Sequence, residues 1–116
     1  MFTYRFVWDQ KLSLLDLEVD APYELLGRYF NMDVMNAGGA EDVLDLLQPV
    51  LDGRLAHFSG AGHMWWLEVG PTTTRIGHIF ASPPLELEVP TRPFIELHAI
   101  YRDEKRADAA RRRASR

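Results

Sequence analysis

The side chains best suited to acid–base or metal chemistry are those of four histidines, namely His57, His63, His78 and His98. No pair has the H-E-x-x-H spacing that brings two imidazoles and a base onto one helical face. His57 and His63 are placed to meet across a hairpin, which supplies two ligands where a metal site needs three or four. We therefore interpret the histidines as structural and expect no catalytic residue, no metal site and no cofactor. A small-ligand or metal-dependent enzymatic α+β domain is kept as an alternative.

Other chemical motifs are equally sparse. The chain contains no cysteine, which excludes disulfides, thiolate metal sites and a cysteine nucleophile. The segment Ser59-Gly60-Ala61-Gly62 has the glycines of a phosphate loop but lacks its lysine, and it joins two predicted strands. No serine lies in the G-x-S-x-G setting of a nucleophile elbow. The sequence therefore predicts a protein that is not an enzyme.

Charge is distributed unevenly along the chain. Residues 1–101 contain six basic and fourteen acidic residues, a formal charge of −8, whereas residues 102–116 carry +4. An acidic body favours a cationic partner, because net charge constrains what a protein binds. The basic run Arg111-Arg112-Arg113 with Arg116 suggests a nucleic-acid-associated protein as a second alternative. That tail has no aromatic residue for base stacking, so we interpret it as a solvated helix end and expect no nucleic-acid partner.

Two amino-terminal strands are predicted by alternating apolar residues, over residues 2–8 and 12–19. In the second strand the leucines lie on one face and Asp16 and Glu18 on the other. These two carboxylates should therefore face solvent.

Two helices are predicted next. Asp20 can cap the first helix, whose first turn tolerates Pro22 and which should end within residues 36–39. The second should run over residues 40–51. Three of its acidic residues should lie on the outer side, namely Glu41, Asp42 and Asp45.

The remainder of the chain predicts a meander followed by a helix. Glycine and proline turns separate runs of strand-like sequence. These runs cover residues 54–59, 63–69, 72–81 and 85–89. Glu86 and Glu88 alternate along the last run, as on an edge strand. A final helix follows Pro93, with one apolar stripe that ends at Tyr101.

The order ββααβββ(β)α predicts an α+β two-layer domain, with a largely antiparallel sheet of five to six strands and helices packed mainly on one face. Residues 1–101 should form this single domain, and residues 102–116 a basic C-terminal tail that is helical or frayed. No segment approaches the roughly 20 apolar residues that cross a bilayer, so we expect no membrane association. The amino terminus lacks the features of a signal peptide, and we expect a cytoplasmic protein.

Two adjacent tryptophans must point to opposite faces of their strand. Trp65 shares its face with Leu67 and Val69, which predicts a core position. Trp66 is then on the more exposed face beside Glu68, where a tryptophan flanked by acid is a plausible hot spot for a partner protein.

One stretch of the sequence has the pattern of a known class of proteins. The segment Phe58-Ser-Gly60-Ala-Gly-His-Met-Trp-Trp-Leu67-Glu-Val69, followed by Thr74-Arg-Ile76, resembles the F-x-G hairpin, alternating strand and T-x-I strand of small bacterial immunity proteins. The resemblance is to those of contact-dependent growth inhibition systems. It extends over most of residues 1–101.

This resemblance implies a cytoplasmic, non-enzymatic inhibitor that binds and neutralises a cognate toxin domain delivered by a neighbouring cell. When such a toxin is a nuclease its substrate site is cationic, and an acidic surface can block it. The resemblance does not fix the oligomeric state or the toxin. The candidate toxin-binding residues are nine acids and one apolar anchor, namely Asp16, Glu18, Asp33, Glu41, Asp42, Asp45, Glu68, Glu86 and Glu88 with Trp66.

Overall fold

A computed structural model describes residues 1–115 of the chain. Six strands form, namely β1 (Tyr4–Asp9), β2 (Leu14–Val19), β3 (Phe58–Ala61), β4 (Trp65–Val69), β5 (Thr73–His78) and β6 (Glu86–Pro90). The helices are α1 (Leu25–Tyr29), α2 (Ala37–Leu51) and α3 (Thr91–Ala114), and α1 continues directly into a π-helical turn at Phe30–Val34. The protein is therefore α+β, as the sequence predicts.

The strands divide between two antiparallel sheets, whereas the sequence predicts one. β1 pairs only with β2, and the other four strands pair in the order β3-β4-β5-β6. The side chain of Asn31 explains part of this division, because its amide accepts from the Leu17 N–H at 3.0 Å and donates to the Leu17 carbonyl at 2.9 Å. These are backbone groups of β2 that a further strand would need, so the π-helical turn occupies that part of the strand's free edge.

A single hydrophobic core joins both sheets to the helices. Leu17 of β2, Trp65 of β4 and Phe94 of α3 all belong to one buried cluster. Trp65 has no exposed surface, which confirms its predicted core position. The helices thus cover one face of the four-stranded sheet and leave its other face open.

The entry into α2 differs from the predicted boundary. Asn36 caps the helix by accepting a hydrogen bond from the Gly39 N–H at 2.8 Å, so Gly38 and Gly39 lie in its first turn. A side chain at position 39 would collide with the Val34 carbonyl, which explains the glycine there. A strong cap therefore outweighs the low helix propensity of the two glycines.

The last helix continues as far as Ala114, well beyond the apolar stripe that ends at Tyr101. Polar residues at positions 105, 108 and 112 continue the same face of the helix at helical spacing. The Lys105 ammonium lies 5.3 Å from the centre of the Tyr101 ring, and the Arg112 guanidinium lies 5.7 Å from that of Trp8. Residues 102–114 thus carry one side that packs against the rest of the fold.

Candidate functional site

The open face of the four-stranded sheet brings together four of the ten candidate residues. Cross-strand pairing forms two rows across it. One row is Ser59, Glu68, Arg75 and Glu88, and the other is Ala61, Trp66, Gly77 and Glu86. Because successive side chains of a strand alternate between faces, these residues share the side turned away from the helices. We call this surface the open sheet face.

Trp66 lies at the centre of the open sheet face. Its indole covers the backbone of Gly77, where a Cβ atom would overlap the ring. The Arg75 guanidinium lies 5.5 Å from the centre of the same ring, a cation–π distance. The tryptophan is half-buried, since a glycine on one side and an arginine on the other hold it flat against the sheet.

The charges of the open sheet face are predominantly negative. Arg75 donates to Glu68 at 3.2 Å and to Glu86 at 3.4 Å, and all three side chains are about half exposed. Glu88 is exposed and makes no ion pair within residues 1–115. The open sheet face thus carries three carboxylates and one guanidinium, and the exposed ion pairs themselves contribute little to stability.

Three other candidate acids lie on or beside the β1–β2 hairpin and the π-helical turn. Glu18 forms an exposed ion pair with Arg5 at 3.1 Å, while Asp16 is half-buried on the same strand. Burial, and then the neighbouring charge of Asp9, raise the pKa of the Asp16 carboxyl above its ordinary value. Asp16 and Glu18 are thus neighbours, but on the other sheet from Trp66.

Asp33 has a structural position. Its carboxylate accepts from the Met64 N–H at 3.0 Å and from the Trp65 N–H at 2.9 Å. It therefore fastens the π-helical turn to the start of β4. Both carboxylate oxygens are occupied by backbone donors, which leaves this acid less available to a partner.

The three acids of α2 differ in how they are engaged. Glu41 accepts from Arg102 at 2.7 Å, and this hydrogen bond raises the pKa of the Arg102 guanidinium. Asp42 and Asp45 are exposed and form no ion pair within residues 1–115. They form a second acidic surface on the helical layer, separate from the open sheet face.

The histidines occupy dispersed positions. His57 precedes β3 instead of lying within a strand, and His78 ends β5 with its Nδ1 accepting from the Phe80 N–H at 3.1 Å. Within residues 1–115 no three histidine, aspartate or glutamate side chains are grouped closely enough to hold a metal ion. The largely apolar cleft of about 130 Å³ between α2 and the β3–β4 hairpin is lined by one carboxylate, Asp33, whose oxygens are already bonded.

His98 is fully buried and hydrogen-bonded at both ring nitrogens. The Phe94 carbonyl, 2.9 Å from Nδ1, can only accept, so Nδ1 carries the proton and Nε2 accepts from the Tyr29 hydroxyl at 2.8 Å. Burial lowers the pKa of His98 to about 4 and raises that of Tyr29. This histidine is therefore a neutral core residue that locks α1 to α3.

The sequence did not single out two residues of the open sheet face, Arg75 and Gly77, which position Trp66. Phe80, 71% exposed, lies just beyond the end of β5. The predicted strand over 72–81 included Phe80, yet β5 ends at His78. Had the strand register been known, the alternation that puts Trp65 and Trp66 on opposite faces would have placed Arg75 and Gly77 beside Trp66.

Comparisons with known proteins give this arrangement no counterpart. No protein-family model, no curated protein and no solved structure matches the chain.

Among residues 1–115, none of the helices combines the length and apolarity required to cross a membrane. The fold and the site thus define an α+β domain with an open, acidic, tryptophan-centred sheet face.

Proposed function

We propose that this protein is a cytoplasmic immunity protein that binds and neutralises a cognate bacterial toxin domain without catalysing a reaction. The observation that carries the proposal is the grouping of Trp66, Glu68, Glu86 and Glu88 on the open sheet face. The sequence resemblance to immunity proteins of contact-dependent growth inhibition supports the same role.

The chemistry of the open sheet face suits a cationic protein partner. Its carboxylates attract a basic surface over distance, which accelerates encounter. At contact, Trp66 offers an aromatic ring whose position is already fixed by Gly77 and Arg75. A rigid aromatic anchor loses little conformational freedom on binding, which is why tryptophan is enriched among residues that dominate binding energy.

A toxin that acts on nucleic acid is the partner class we favour. Such an enzyme binds phosphates through basic side chains, and these can pair with Glu68, Glu86 and Glu88. Arg75 already contacts two of these acids in the free protein. It would have to share or release them when a partner cation arrives.

Protection of cells tests the proposal. The reading frame immediately upstream of this chain's own is searched for a toxin domain, which is then expressed with and without the protein, and the two are co-purified. We expect survival and a stable complex with the wild-type chain, and loss of both with Trp66→Ala. Trp8→Ala, a tryptophan change outside the open sheet face, is the matched control and should retain protection. Failure of the wild-type chain to protect, or loss of protection with Trp8→Ala alone, would contradict the proposal.

A further inference from the structure

A groove of about 490 Å³ lies between the carboxyl-terminal half of α3, the first turn of α2 and the start of β2. Four cationic side chains line it, namely Lys105, Arg106, Arg112 and Arg113. Within residues 1–115 no carboxylate lines it, although the chain as a whole has a formal charge of −4. This groove is therefore a positively charged region on a protein whose net charge is negative.

Two of the four cations are held by neighbouring groups. Arg112 pairs with the nearly buried Asp108 at 2.9 Å while its guanidinium rests over Trp8. Arg106 lies 3.9 Å from Glu41, the outer limit of an ion pair. These contacts fix where the positive charge lies along the groove.

The other two cations form no close ion pair in the described chain. Neither Lys105 nor Arg113 forms an ion pair within residues 1–115. Partial burial lowers the pKa of the Lys105 ammonium, although the neighbouring charges of Asp16 and Asp108 act in the opposite direction. A bound anion would further stabilise the charged form of Lys105.

The rest of the lining combines apolar surface with backbone donors. Leu14 and Met35, both more than two-fifths exposed, contribute apolar side chains. Ala37 and Gly38 begin α2, and N–H groups in a first helical turn have no acceptor within the helix. The groove thus presents charge at one part of its wall and an apolar surface at another.

We propose that this groove binds a small organic phosphate, with the phosphate group beside Lys105 and Arg113 and its carbon portion against Leu14 and Met35. A doubly charged phosphate matches several cations better than a single carboxylate does, and its oxygens accept several charge-assisted hydrogen bonds. The groove volume falls within the range of small-molecule sites. The acidic body disfavours a long polyanion. This site is independent of the proposed toxin-binding face.

Titration of the full chain with inorganic phosphate and with phenyl phosphate tests the proposal. Calorimetry at low salt gives affinity and stoichiometry, and ¹H–¹⁵N spectra follow the three indole N–H signals, assigned by Trp→Phe variants. We expect one site, tighter binding of phenyl phosphate, and a shift of the Trp8 indole signal without a shift of Trp66. The double variant Arg106→Gln/Arg113→Gln should bind phenyl phosphate about tenfold more weakly.

A matched control separates a specific site from general charge. Arg54→Gln/Arg92→Gln removes the same charge at positions that do not line the groove, and it should leave the affinity unchanged. Equal weakening by both double variants, or no saturable binding of either phosphate, overturns the proposal. So does a single-stranded oligonucleotide that shifts Trp8 when neither small phosphate does, because the groove would then be a polyanion surface.

Discussion

The indole ring of Trp66 lies directly over Gly77, its cross-strand neighbour, and the Arg75 guanidinium lies 5.5 Å from the centre of that ring. The absence of a side chain at position 77 is what allows the ring to lie flat. The position of the Trp66 ring and the register of the sheet are therefore coupled through one glycine.

Gly77→Ala should displace the Trp66 ring, because the added methyl group overlaps it. Overpacking of this kind costs roughly 1 to 3 kcal/mol of unfolding free energy. Urea denaturation measures that cost, and the Trp66 indole signal reports the displacement. Gly38→Ala is the control, since a Cβ there is 3.4 Å from its nearest neighbour, and it should be neutral or slightly stabilising. Equal stability of wild type and Gly77→Ala, with an unmoved ring, would contradict this packing.

Asp33→Ala should destabilise the fold by roughly 1.5 to 3 kcal/mol, because two backbone N–H groups lose a charged acceptor. Urea denaturation monitored by tryptophan fluorescence gives the value. Asp42→Ala, which removes an exposed carboxylate, should change stability by less than about 0.5 kcal/mol. If the two substitutions had equal effects, the role of Asp33 in joining the π-helical turn to β4 would be wrong.

Stability should fall as the pH is lowered from about 6.5 to about 4, because His98 stays neutral in the folded state over this range while an unfolded histidine takes up a proton. Above pH 6.5 both states are neutral, and this contribution is constant. At about pH 5 the loss amounts to roughly 2 kcal/mol. Urea denaturation at pH 7.5 and pH 5 measures it.

The matched variants are His98→Gln and His57→Gln, a buried and an exposed histidine. The first should lower stability at neutral pH and flatten the dependence between pH 7.5 and pH 5. The second should keep the wild-type dependence. A wild-type slope retained in His98→Gln would assign the pH effect to other groups.

A double-mutant cycle on Glu41 and Arg102 should give a coupling free energy of about 1 kcal/mol, because the Arg102 side chain is only 23% exposed. The same cycle on Arg5 and Glu18, where both side chains are more than half exposed, should give a smaller value. Unfolding free energies of the single and double glutamine variants supply both couplings. A larger coupling for the Arg5–Glu18 pair would contradict the role of burial.

Sequence periodicity predicted the features that depend on local spacing. The alternation in β4 separated Trp65 from Trp66, and the apolar stripe predicted for the last helix ends at Tyr101, which is fully buried. These succeed because a strand or helix fixes which side chains share a face. The α+β class follows from the order of such elements.

Features that depend on distant contacts could not be read from spacing. The split into two sheets involves Asn31 at the edge of β2, and the role of Asp33 requires β4, more than thirty residues away. In α3, Asp108 is buried beyond the point where apolar residues end, and Arg112 pairs with it. Polar packing of this kind leaves no hydrophobic signal in the sequence.

The role of the open sheet face is tested most directly by the association rate with the cognate toxin domain, measured for two matched charge reversals. Glu86→Lys/Glu88→Lys alters the open sheet face, and Asp42→Lys/Asp45→Lys makes the same change in net charge on α2. We predict that the first lowers the association rate at least about tenfold at low salt, because it removes local attraction at the docking surface. The second should have a much smaller effect. A larger decrease with the α2 pair, and a normal rate with the sheet pair, would contradict the assignment of the binding face.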